Sequence, residues 1–293
     1  MTVAAWERLR NLPYSFLWHA GVRFNNRAYI IGGIVDKAIS NVVISTNNVQ
    51  AEDQIFINPT GLAQRGAHAA TVFNEKIWVS GGQGAQTTLN DVVNSPDGKE
   101  WATTGYLPER RQGHRMVAFG NEKIQLVVLG GVDEKFTNPH NEIYTSVDGR
   151  VWKTVQVHTN IWAARQQFGC LVYKNKLWVF GGLGVNAIQY FNDVWCSDNL
   201  THWTRAVEHA PWQGKGAFAY CVWDERMWII GGFFSRFDQD REVWYSRDGI
   251  TWVQSFDFPK DHVYGNYATE LDNRLHIFGG QPDMNGLYRK NLG

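Results

Sequence analysis

The sequence has few cysteines, no net charge and no long apolar run, and each shortage excludes a class of protein. Three cysteines, Cys170, Cys196 and Cys221, are an odd and low number, which argues against a disulfide framework and favours a reducing compartment. Lys plus Arg and Asp plus Glu number 28 each, so no overall field draws the chain to nucleic acid. No run approaches the roughly 18 apolar residues of a membrane span, and Met1–Arg10 lacks the apolar core of a signal peptide. We expect a cytoplasmic monomer with neither a nucleic-acid nor a membrane partner.

Pairs of glycines recur along the whole chain at a nearly constant spacing. They fall at 32–33, 81–82, 130–131, 181–182, 231–232 and 279–280, with spacings of 49, 49, 51, 50 and 48 residues. A period near fifty residues is the mark of a repeat array. The six copies leave no segment of domain size outside them, so we predict a single domain over residues 1–293.

Each repeat has the composition of four short strands, here called a to d from the first to the last in the chain. In the fourth repeat the predicted strands are Arg165–Tyr173, Lys176–Phe180, Asp193–Ser197 and about His202–Val207. The second strand is continuously apolar, as expected of a strand that is buried on both faces. Four-stranded sheets repeated around an axis form a β-propeller, so the prediction is an all-β, six-bladed propeller.

Turns, tryptophans and acids also recur with the glycine pairs. Asp-Gly hairpin turns end at Gly98, Gly149 and Gly249, and a tryptophan follows each turn. We expect each of these tryptophans to lie over the neighbouring blade. Acidic residues precede strand c in four blades and are interpreted as hydrogen-bond acceptors of the scaffold: Asp91, Glu142, Asp193 and Glu242.

The two ends of the chain complement each other. The last repeat has room for one more strand after its glycines, at about residues 286–290, and so lacks a strand d. A segment at about residues 3–9 precedes the first blade and carries Trp6, the tryptophan of a strand d. We predict that these segments pair and close the ring, which removes exposed sheet edges.

The glycine pair, the acid before strand c and the tryptophan about twenty residues beyond the glycines resemble Kelch repeats. The resemblance covers nearly the whole chain. It implies a propeller that binds proteins or small ligands on the face that carries the d–a and b–c loops. Some Kelch propellers are enzymes, including sialic-acid epimerases and galactose oxidase, and the fold alone does not choose among these activities.

Four cations recur at the start of strand a: Arg65, Arg111, Arg165 and Lys215. In Kelch substrate adaptors, arginines at this place face the channel mouth and hold acidic peptides, and the resemblance implies a similar role here. Cations around a concave rim attract a carboxylate or a phosphate, which Arg binds through two parallel hydrogen bonds. The alternative is that these residues pair with nearby acids and stabilise the loops.

Aromatic residues near the same loops break the symmetry of the ring. In blades 4 and 5, Trp162 and Trp212 precede strand a, and Phe168 and Phe218 replace the histidine of other blades. The remaining candidates for ligand binding at the mouth are Trp18, Tyr264, Phe234 and Arg236. Aromatic rings beside guanidinium groups suit a negatively charged ligand with an aromatic or sugar-like body. The alternative is simple packing of the d–a loops.

A metal site and a catalytic centre are not indicated. His19, His68 and His114 recur in successive blades, but their parity on the strand is opposite to that of the arginines, so we expect them to point between blades. The chain has no Walker loop, no Gly-x-Ser-x-Gly elbow and no His-Glu-x-x-His pair. We predict no metal and no cofactor, and we assign no catalytic residue.

The sequence thus predicts a Kelch-type propeller that binds an anionic small molecule or an acidic peptide at its channel mouth. Two alternatives stay open. One is an isomerase or lyase that acts on a carboxylated small molecule in the same pocket, and the other is a protein-interaction scaffold. An enzyme needs a carboxylate or a tyrosine that faces the cations, for which Asp133, Glu134, Asp238, Asp240 and Tyr190 are the candidates.

Overall fold

The computed structural model describes residues 6–47, 53–235, 238–259, 264–280 and 286–290. Its strands form six antiparallel sheets, which are the six blades of the predicted propeller. The described residues contain no α-helix, and one 3₁₀ turn lies at Val185–Ala187. None of their helices has the length and hydropathy of a membrane span.

The first three blades take up the first half of the chain. Blade 1 comprises β2 (Phe16–Leu17), β3 (Ala20–Phe24), β4 (Arg27–Val35), β5 (Ala38–Thr46) and β6 (Gln54–Phe56). Blade 2 comprises β7 (Arg65–Gly66), β8 (Ala69–Phe73), β9 (Lys76–Gly84), β10 (Thr88–Ser95) and β11 (Ala102–Tyr106). Blade 3 comprises β12 (Arg115–Phe119), β13 (Gln125–Leu129), β14 (Ile143–Ser146) and β15 (Lys153–Thr154).

The last three blades repeat this order. Blade 4 comprises β16 (Gly169–Tyr173), β17 (Lys176–Phe180), β18 (Val194–Ser197) and β19 (Thr204–Val207). Blade 5 comprises β20 (Ala219–Trp223), β21 (Arg226–Phe233), β22 (Gln239–Ser246) and β23 (Val253–Gln254). Blade 6 comprises β24 (Tyr267–Leu271), β25 (Arg274–Phe278), β26 (Gly286–Lys290) and the N-terminal strand β1 (Trp6–Asn11).

Strand β1 completes the last blade, as predicted. It pairs with β26 in an antiparallel register that runs from Trp6 opposite Lys290 to Asn11 opposite Gly286. The strand extends two residues beyond its predicted end at residue 9, and its predicted start at residue 3 lies outside the described residues. The first and last segments of the chain therefore share one sheet, which closes the ring of blades.

The apolar core is divided into six clusters, each of which lies between two adjacent blades. Trp101 of blade 2, for example, packs with Val22, Tyr29 and Val43 of blade 1. Its indole N–H donates to the Gly98 carbonyl of the preceding turn at 3.0 Å. The tryptophan after the turn thus lies over the neighbouring blade, as the sequence predicts.

The Asp-Gly turns need their glycine for a packing reason. Gly149 has a φ of +74°, and a Cβ at this position would lie 2.3 Å from the Trp78 ring of the preceding blade. The Ser146 hydroxyl accepts the Gly149 N–H at 2.8 Å. The Asp148 carboxylate accepts the next N–H, from Arg150, at 2.9 Å. Backbone N–H donors of this kind lower the pKa of Asp148 and hold the turn closed.

Candidate functional site: the channel and its mouth

The cations predicted to line the mouth lie inside the blades. The side chains of Arg65 and Arg165 are completely buried. Arg165 donates from Nη1 and Nη2 to the two carboxylate oxygens of Asp193, at 2.7 and 2.9 Å. Its Nη1 also donates to the Gly181 carbonyl at 2.8 Å. Arg65 binds the two oxygens of Asp91 in the same way, at 2.9 and 2.7 Å.

The other two cations are buried as well. Arg111 donates from Nη1 to the Gly130 carbonyl at 2.9 Å, and its guanidinium lies 4.9 Å from the centre of the Tyr144 ring. Lys215 forms an ion pair with Asp240 that is almost entirely removed from solvent. Both side chains therefore contact the third strand of their own blade, β14 for Arg111 and β22 for Lys215.

This arrangement differs from the expectation of an open cationic rim. The acids before strand c lie opposite the arginines within one blade, so Asp91 and Asp193 neutralise Arg65 and Arg165. A buried, fully hydrogen-bonded pair has no charge left for a ligand. The alternative interpretation, in which these cations stabilise loops, describes the observed contacts.

The aromatic residues that precede strand a in blades 4 and 5 belong to the core. Trp162 and Trp212 are 0% and 1% exposed. Trp162 meets the ring of Trp203 edge-on at a centroid distance of 4.3 Å, and Trp212 meets Trp252 at 5.9 Å. These contacts are the packing of the d–a loops that was the alternative to ligand binding.

Phe168 and Phe218 are buried between blades, where each ring faces a glycine of the preceding blade. A Cβ at Gly130 would lie 2.5 Å from the Phe168 ring, and a Cβ at Gly181 would lie 2.8 Å from the Phe218 ring. The first glycine of each pair therefore makes room for the side chain of the next blade. The rings serve as scaffold here.

The three recurrent histidines occupy the same place between blades, as their parity predicts. Burial lowers the pKa of His19 to about 4 and holds the pKa of His68 and His114 well below the usual value. Ser80 Oγ lies 2.9 Å from His114 Nε2. Within the described ranges, no group of three or more His, Cys, Asp or Glu side chains is arranged to hold a metal.

A ring of six backbone hydrogen bonds surrounds the channel at the start of the a strands. Each blade contributes one residue: Trp18, Ala67, Gly113, Gln167, Ala217 and Gly265. Each of them donates its N–H to the carbonyl of the corresponding residue in the preceding blade, over 2.7 to 3.2 Å. All six have a φ between +51° and +68°, and all six line the channel. We call this closed cycle the peptide ring.

Aromatic side chains lie along one half of the peptide ring. The Tyr190 and Phe233 rings meet edge-on at 6.1 Å, and Phe233 meets Tyr264 at 5.5 Å. Tyr264 precedes Gly265 of the peptide ring, and Gly265 lies next to Trp18, whose side chain is 36% exposed. We call these four residues, which come from blades 4, 5, 6 and 1, the aromatic arc.

Trp18 lines the channel at the peptide ring, and Tyr264 directly precedes Gly265 of that ring. Phe234 is half-buried beside the arc, and its N–H donates to the Asp238 carbonyl at 3.1 Å. Arg236 lies outside the described residues. In the other half of the ring, Ala67, Gly113 and Gln167 supply small or polar groups. The b–c loop of blade 3 carries one ring of its own, Phe136, which is 44% exposed.

The acid–base candidates of the loops have structural partners. Asp133 accepts hydrogen bonds from the side chain of Asn138 and from the N–H of Thr137, which lower the pKa of Asp133. Asp240 is paired with Lys215. These contacts hold the b–c loops in place and give no observation in favour of an isomerase or a lyase.

The channel forms an open cavity of about 460 Å³, which the peptide ring and the a strands line. Arg115 of β12 lies on its wall and donates from Nε to the Phe168 carbonyl at 2.6 Å. Its guanidinium lies 5.4 Å from the centre of the Tyr220 ring, which belongs to blade 5. Arg115, Tyr220 and the lining residue Tyr267 are not among the residues predicted from the sequence.

A signal for Arg115 was present in the sequence. Register places it level with Ala20, Ala69, Gly169, Ala219 and Tyr267 of the other blades, none of which is charged. A residue that differs from its counterparts in charge is not required by the repeat. The same comparison of blades that drew attention to the aromatic residues of blades 4 and 5 would have found it.

Comparison with known proteins agrees with this geometry. Residues 93–280, more than half of the chain, match the family described as the KLHDC2/KLHL20/DRC7 Kelch-repeats domain. The chain belongs to the Kelch-repeat family. The structure and the family together make it a Kelch propeller, a scaffold on which function depends on surface sites.

The Kelch propeller has relatives among longer proteins. It is 26% identical over 248 residues to "Leucine-zipper-like transcriptional regulator 1" of Homo sapiens, which covers 75% of this chain and 28% of the relative. It is 29% identical over 125 residues to "Rho GTPase-activating protein gacHH" of Dictyostelium discoideum, which covers 39% of this chain and 8% of the relative. "Kelch domain-containing protein 3" of Bos taurus is 22% identical over 246 residues, with coverage of 75% and 62%. The chain thus spans less than two thirds of each of these relatives.

Proposed function

We propose that this Kelch propeller is a binding module that recognises a partner protein at the channel mouth through the aromatic arc. The observation that carries the proposal is the one-sided placement of Tyr190, Phe233, Tyr264 and Trp18 around the peptide ring. Scaffold requirements recur in every blade, whereas the described residues place these four rings at blades 4, 5, 6 and 1. Aromatic side chains at a concave surface are typical anchors of protein interfaces.

The backbone around Phe233 explains how an aromatic side chain reaches this place. The backbones of Phe233 and Gly216 exchange two hydrogen bonds of 3.0 Å. Gly216 has no side chain that could cover the phenyl ring of Phe233. Gly216 directly precedes Ala217 of the peptide ring, so Phe233 is held at the mouth by backbone contacts. A rigid ring on a fixed backbone loses little conformational entropy when it binds.

The partner is expected to insert an apolar side chain, because three of the cations first assigned to the mouth, Arg65, Arg165 and Lys215, are neutralised within the blades. A tyrosine on each side of Phe233 adds hydroxyl groups that can bond to a partner's backbone. Some relatives also support a binding role. The region similar to this chain is 28% of a relative named as a transcriptional regulator and 8% of one named as a Rho GTPase-activating protein. Binding is a role that such different proteins can share.

The proposal is tested with a displayed peptide library selected on the wild-type protein. Affinities of the selected peptides are then measured by calorimetry for Phe233→Ala and Tyr264→Ala. Each variant is expected to weaken binding by roughly tenfold or more, as loss of an interface anchor does. The matched control is Tyr106→Ala, which removes a 61% exposed tyrosine from the outer strand of blade 2.

Two results would count against a mouth that recognises proteins. One is a set of selected peptides that bind Phe233→Ala and wild type equally well. The other is a set whose affinity falls equally with Tyr106→Ala, which would place the binding surface on the outer strands. Thermal melting of each variant confirms that the fold is retained.

A further inference from the structure

We propose that the channel holds a small organic anion at Arg115, in a site whose lining does not include Tyr190, Phe233 or Tyr264 of the aromatic arc. Arg115 lies two residues beyond Gly113 of the peptide ring, on the wall of the cavity. Of the other five blades, four have alanine or glycine at this level and blade 6 has the uncharged Tyr267. The propeller therefore closes without a charged side chain here, and the arginine needs another explanation.

The guanidinium group is held in a fixed position. Its Nε donates to the Phe168 carbonyl at 2.6 Å, and the Phe168 and Tyr220 rings lie 5.7 and 5.4 Å from its central carbon. The Nε donor and a side-chain hydrogen bond to Tyr220 thus orient the group against blades 4 and 5. The remaining N–H groups of the two terminal nitrogens supply donors that can bind a carboxylate or a phosphate.

No counter-charge balances Arg115. Among the residues that the structure describes, no carboxylate forms an ion pair with it, and the cavity lining includes no Asp or Glu. The other cation of the lining, Arg23, is paired with Glu270. Burial raises the pKa of the Cys170 thiol to about 12 and also raises the pKa of Tyr220, so neither neighbour provides a negative charge near neutral pH.

The size of the cavity indicates what kind of anion fits. A volume of about 460 Å³ is within the range of small-molecule pockets, which begins at roughly 300 Å³, and is far larger than a single water molecule. Met116, Cys170 and Tyr220 give the wall an apolar and aromatic character. We therefore expect a carboxylate or a phosphate ester with an apolar or aromatic body.

A polar group on the same wall is available to such a ligand. The Gln167 side chain lines the cavity, and its Oε1 is buried without a hydrogen-bond partner among the described residues. A primary amide has two donors and an acceptor, so it can bond to either a hydroxyl or an oxyanion. Arg115 and Gln167 together would fix both the charge and the orientation of the bound molecule.

The experiment measures the binding of three anions, benzoate, phenyl phosphate and inorganic phosphate, by calorimetry and by thermal shift. Benzamide has the shape of benzoate without its charge and is the matched neutral probe. The variants are Arg115→Ala, which copies blades 1, 2 and 5, and Arg115→Lys, which keeps the charge. Arg150→Ala removes an exposed arginine from a turn and controls for the change in net charge.

The expected result is that at least one anion binds the wild type and Arg150→Ala, that benzamide does not, and that Arg115→Ala weakens the anion at least tenfold. Arg115→Lys should retain part of the affinity. In crystals soaked with para-iodobenzoate, the iodine should appear inside the channel near Tyr220.

The proposal is overturned if none of the three anions binds at millimolar concentration, or if Arg115→Ala binds them as tightly as wild type. Benzamide that binds as well as benzoate would also overturn it. The outcome is independent of the mouth, since Phe233→Ala should retain the anion and Arg115→Ala should retain the selected peptides. Each site can therefore fail without the other.

Discussion

The backbone N–H of Trp18 donates to the carbonyl of Gly265 over 3.2 Å, which joins the first blade to the sixth at the channel. An equivalent hydrogen bond joins each of the remaining five pairs of adjacent blades, and the six bonds form a closed cycle. The chain thus closes twice. Strands β1 and β26 join its ends at the outside of blade 6, and the peptide ring joins all blades at the channel.

The peptide ring requires a positive φ at every one of its residues. Gly113 and Gly265 accept this conformation without strain, whereas Ala67 and Ala217 have φ values of +51° and +53°. We predict that Ala67→Gly raises the free energy of unfolding by about 0.5 kcal/mol or more, because relief of the strain outweighs the added freedom of the unfolded chain. Urea denaturation of the two proteins measures the difference.

Ala69→Gly is the matched control for this prediction. Ala69 lies two residues further along the same blade, in strand β8 and with an ordinary backbone conformation. Glycine in a strand costs about 0.5 to 1 kcal/mol, so Ala69→Gly should destabilise the protein. Equal losses of stability in both variants would show that the positive φ at Ala67 stores no strain.

The sequence allowed the fold to be predicted because the scaffold repeats. Each glycine pair makes room for a side chain of the next blade, as Gly130 does for Phe168, and each turn glycine makes room for a ring, as Gly149 does for Trp78. Such requirements recur in every blade and therefore leave a period that can be counted. Strand β17 even has its predicted bounds, Lys176–Phe180.

The candidate site was harder to predict, because it depends on contacts between residues that are distant in sequence. Arg65 and Asp91 were both recognised at recurrent positions, but the sequence does not show that they face each other 26 residues apart within one blade. The direction of a cation on a twisted strand depends on the loops around it. Arg115 and Phe233 have their roles only because the ring brings different blades together at the channel.

The buried ion pairs should contribute strongly to stability. In Arg165→Met, the Asp193 carboxylate loses both parallel hydrogen bonds, and the Gly181 carbonyl loses its donor. We predict a loss of about 3 kcal/mol in the free energy of unfolding, the cost of leaving one charge of a buried pair alone. Arg165→Lys should also be destabilised, because an ammonium group cannot form the two parallel hydrogen bonds that the guanidinium makes with Asp193.

A double-mutant cycle checks that the loss comes from this pair. Arg165→Met combined with Asp193→Asn should lose less stability than the sum of the single changes, with a coupling of about 0.5 to 3 kcal/mol. Purely additive effects would mean that the two side chains act independently. Arg150→Ala, on the exposed turn of blade 3, should change stability by no more than about 0.5 kcal/mol.

The buried histidines should make the protein sensitive to acid. Burial lowers the pKa of His19 from 6.5 to about 4. The unfolded chain therefore binds a proton at higher pH than the folded one. Stability is fully present above about pH 6.5 and is lost as the pH falls toward 4, by up to about 1.4 kcal/mol per pH unit for this residue.

His19→Phe is designed to remove the contribution of His19 to the pH dependence of stability without disturbing the packing. Phe168 and Phe218 fill the equivalent places in blades 4 and 5. Denaturation at several pH values between 4 and 6.5 should show a shallower loss of stability in the variant. The control is His209→Phe, which makes the same substitution at an exposed histidine. If the loss of stability with falling pH is the same in His19→Phe and wild type, folding does not lower the pKa of His19.

The closure between β1 and β26 supports the last prediction. The Trp6 ring meets Phe258 edge-on at 4.9 Å, and the Lys290 ammonium group lies 5.1 Å from the Trp6 ring centre. Arg289 pairs with Glu7 at 2.6 Å on the exposed side of the strand. We predict that Trp6→Ala lowers the free energy of unfolding by about 2 kcal/mol or more, whereas Glu7→Ala changes it by less than about 1 kcal/mol.

Deletion of residues 1–10 removes the strand itself and leaves the backbone of β26 unpaired at the edge of blade 6. Unpaired edges recruit strands from other molecules, so the truncated protein should aggregate. Size-exclusion chromatography and thermal melting measure both effects. A truncated protein that elutes as a single species with an unchanged melting temperature would show that the peptide ring alone keeps the propeller closed.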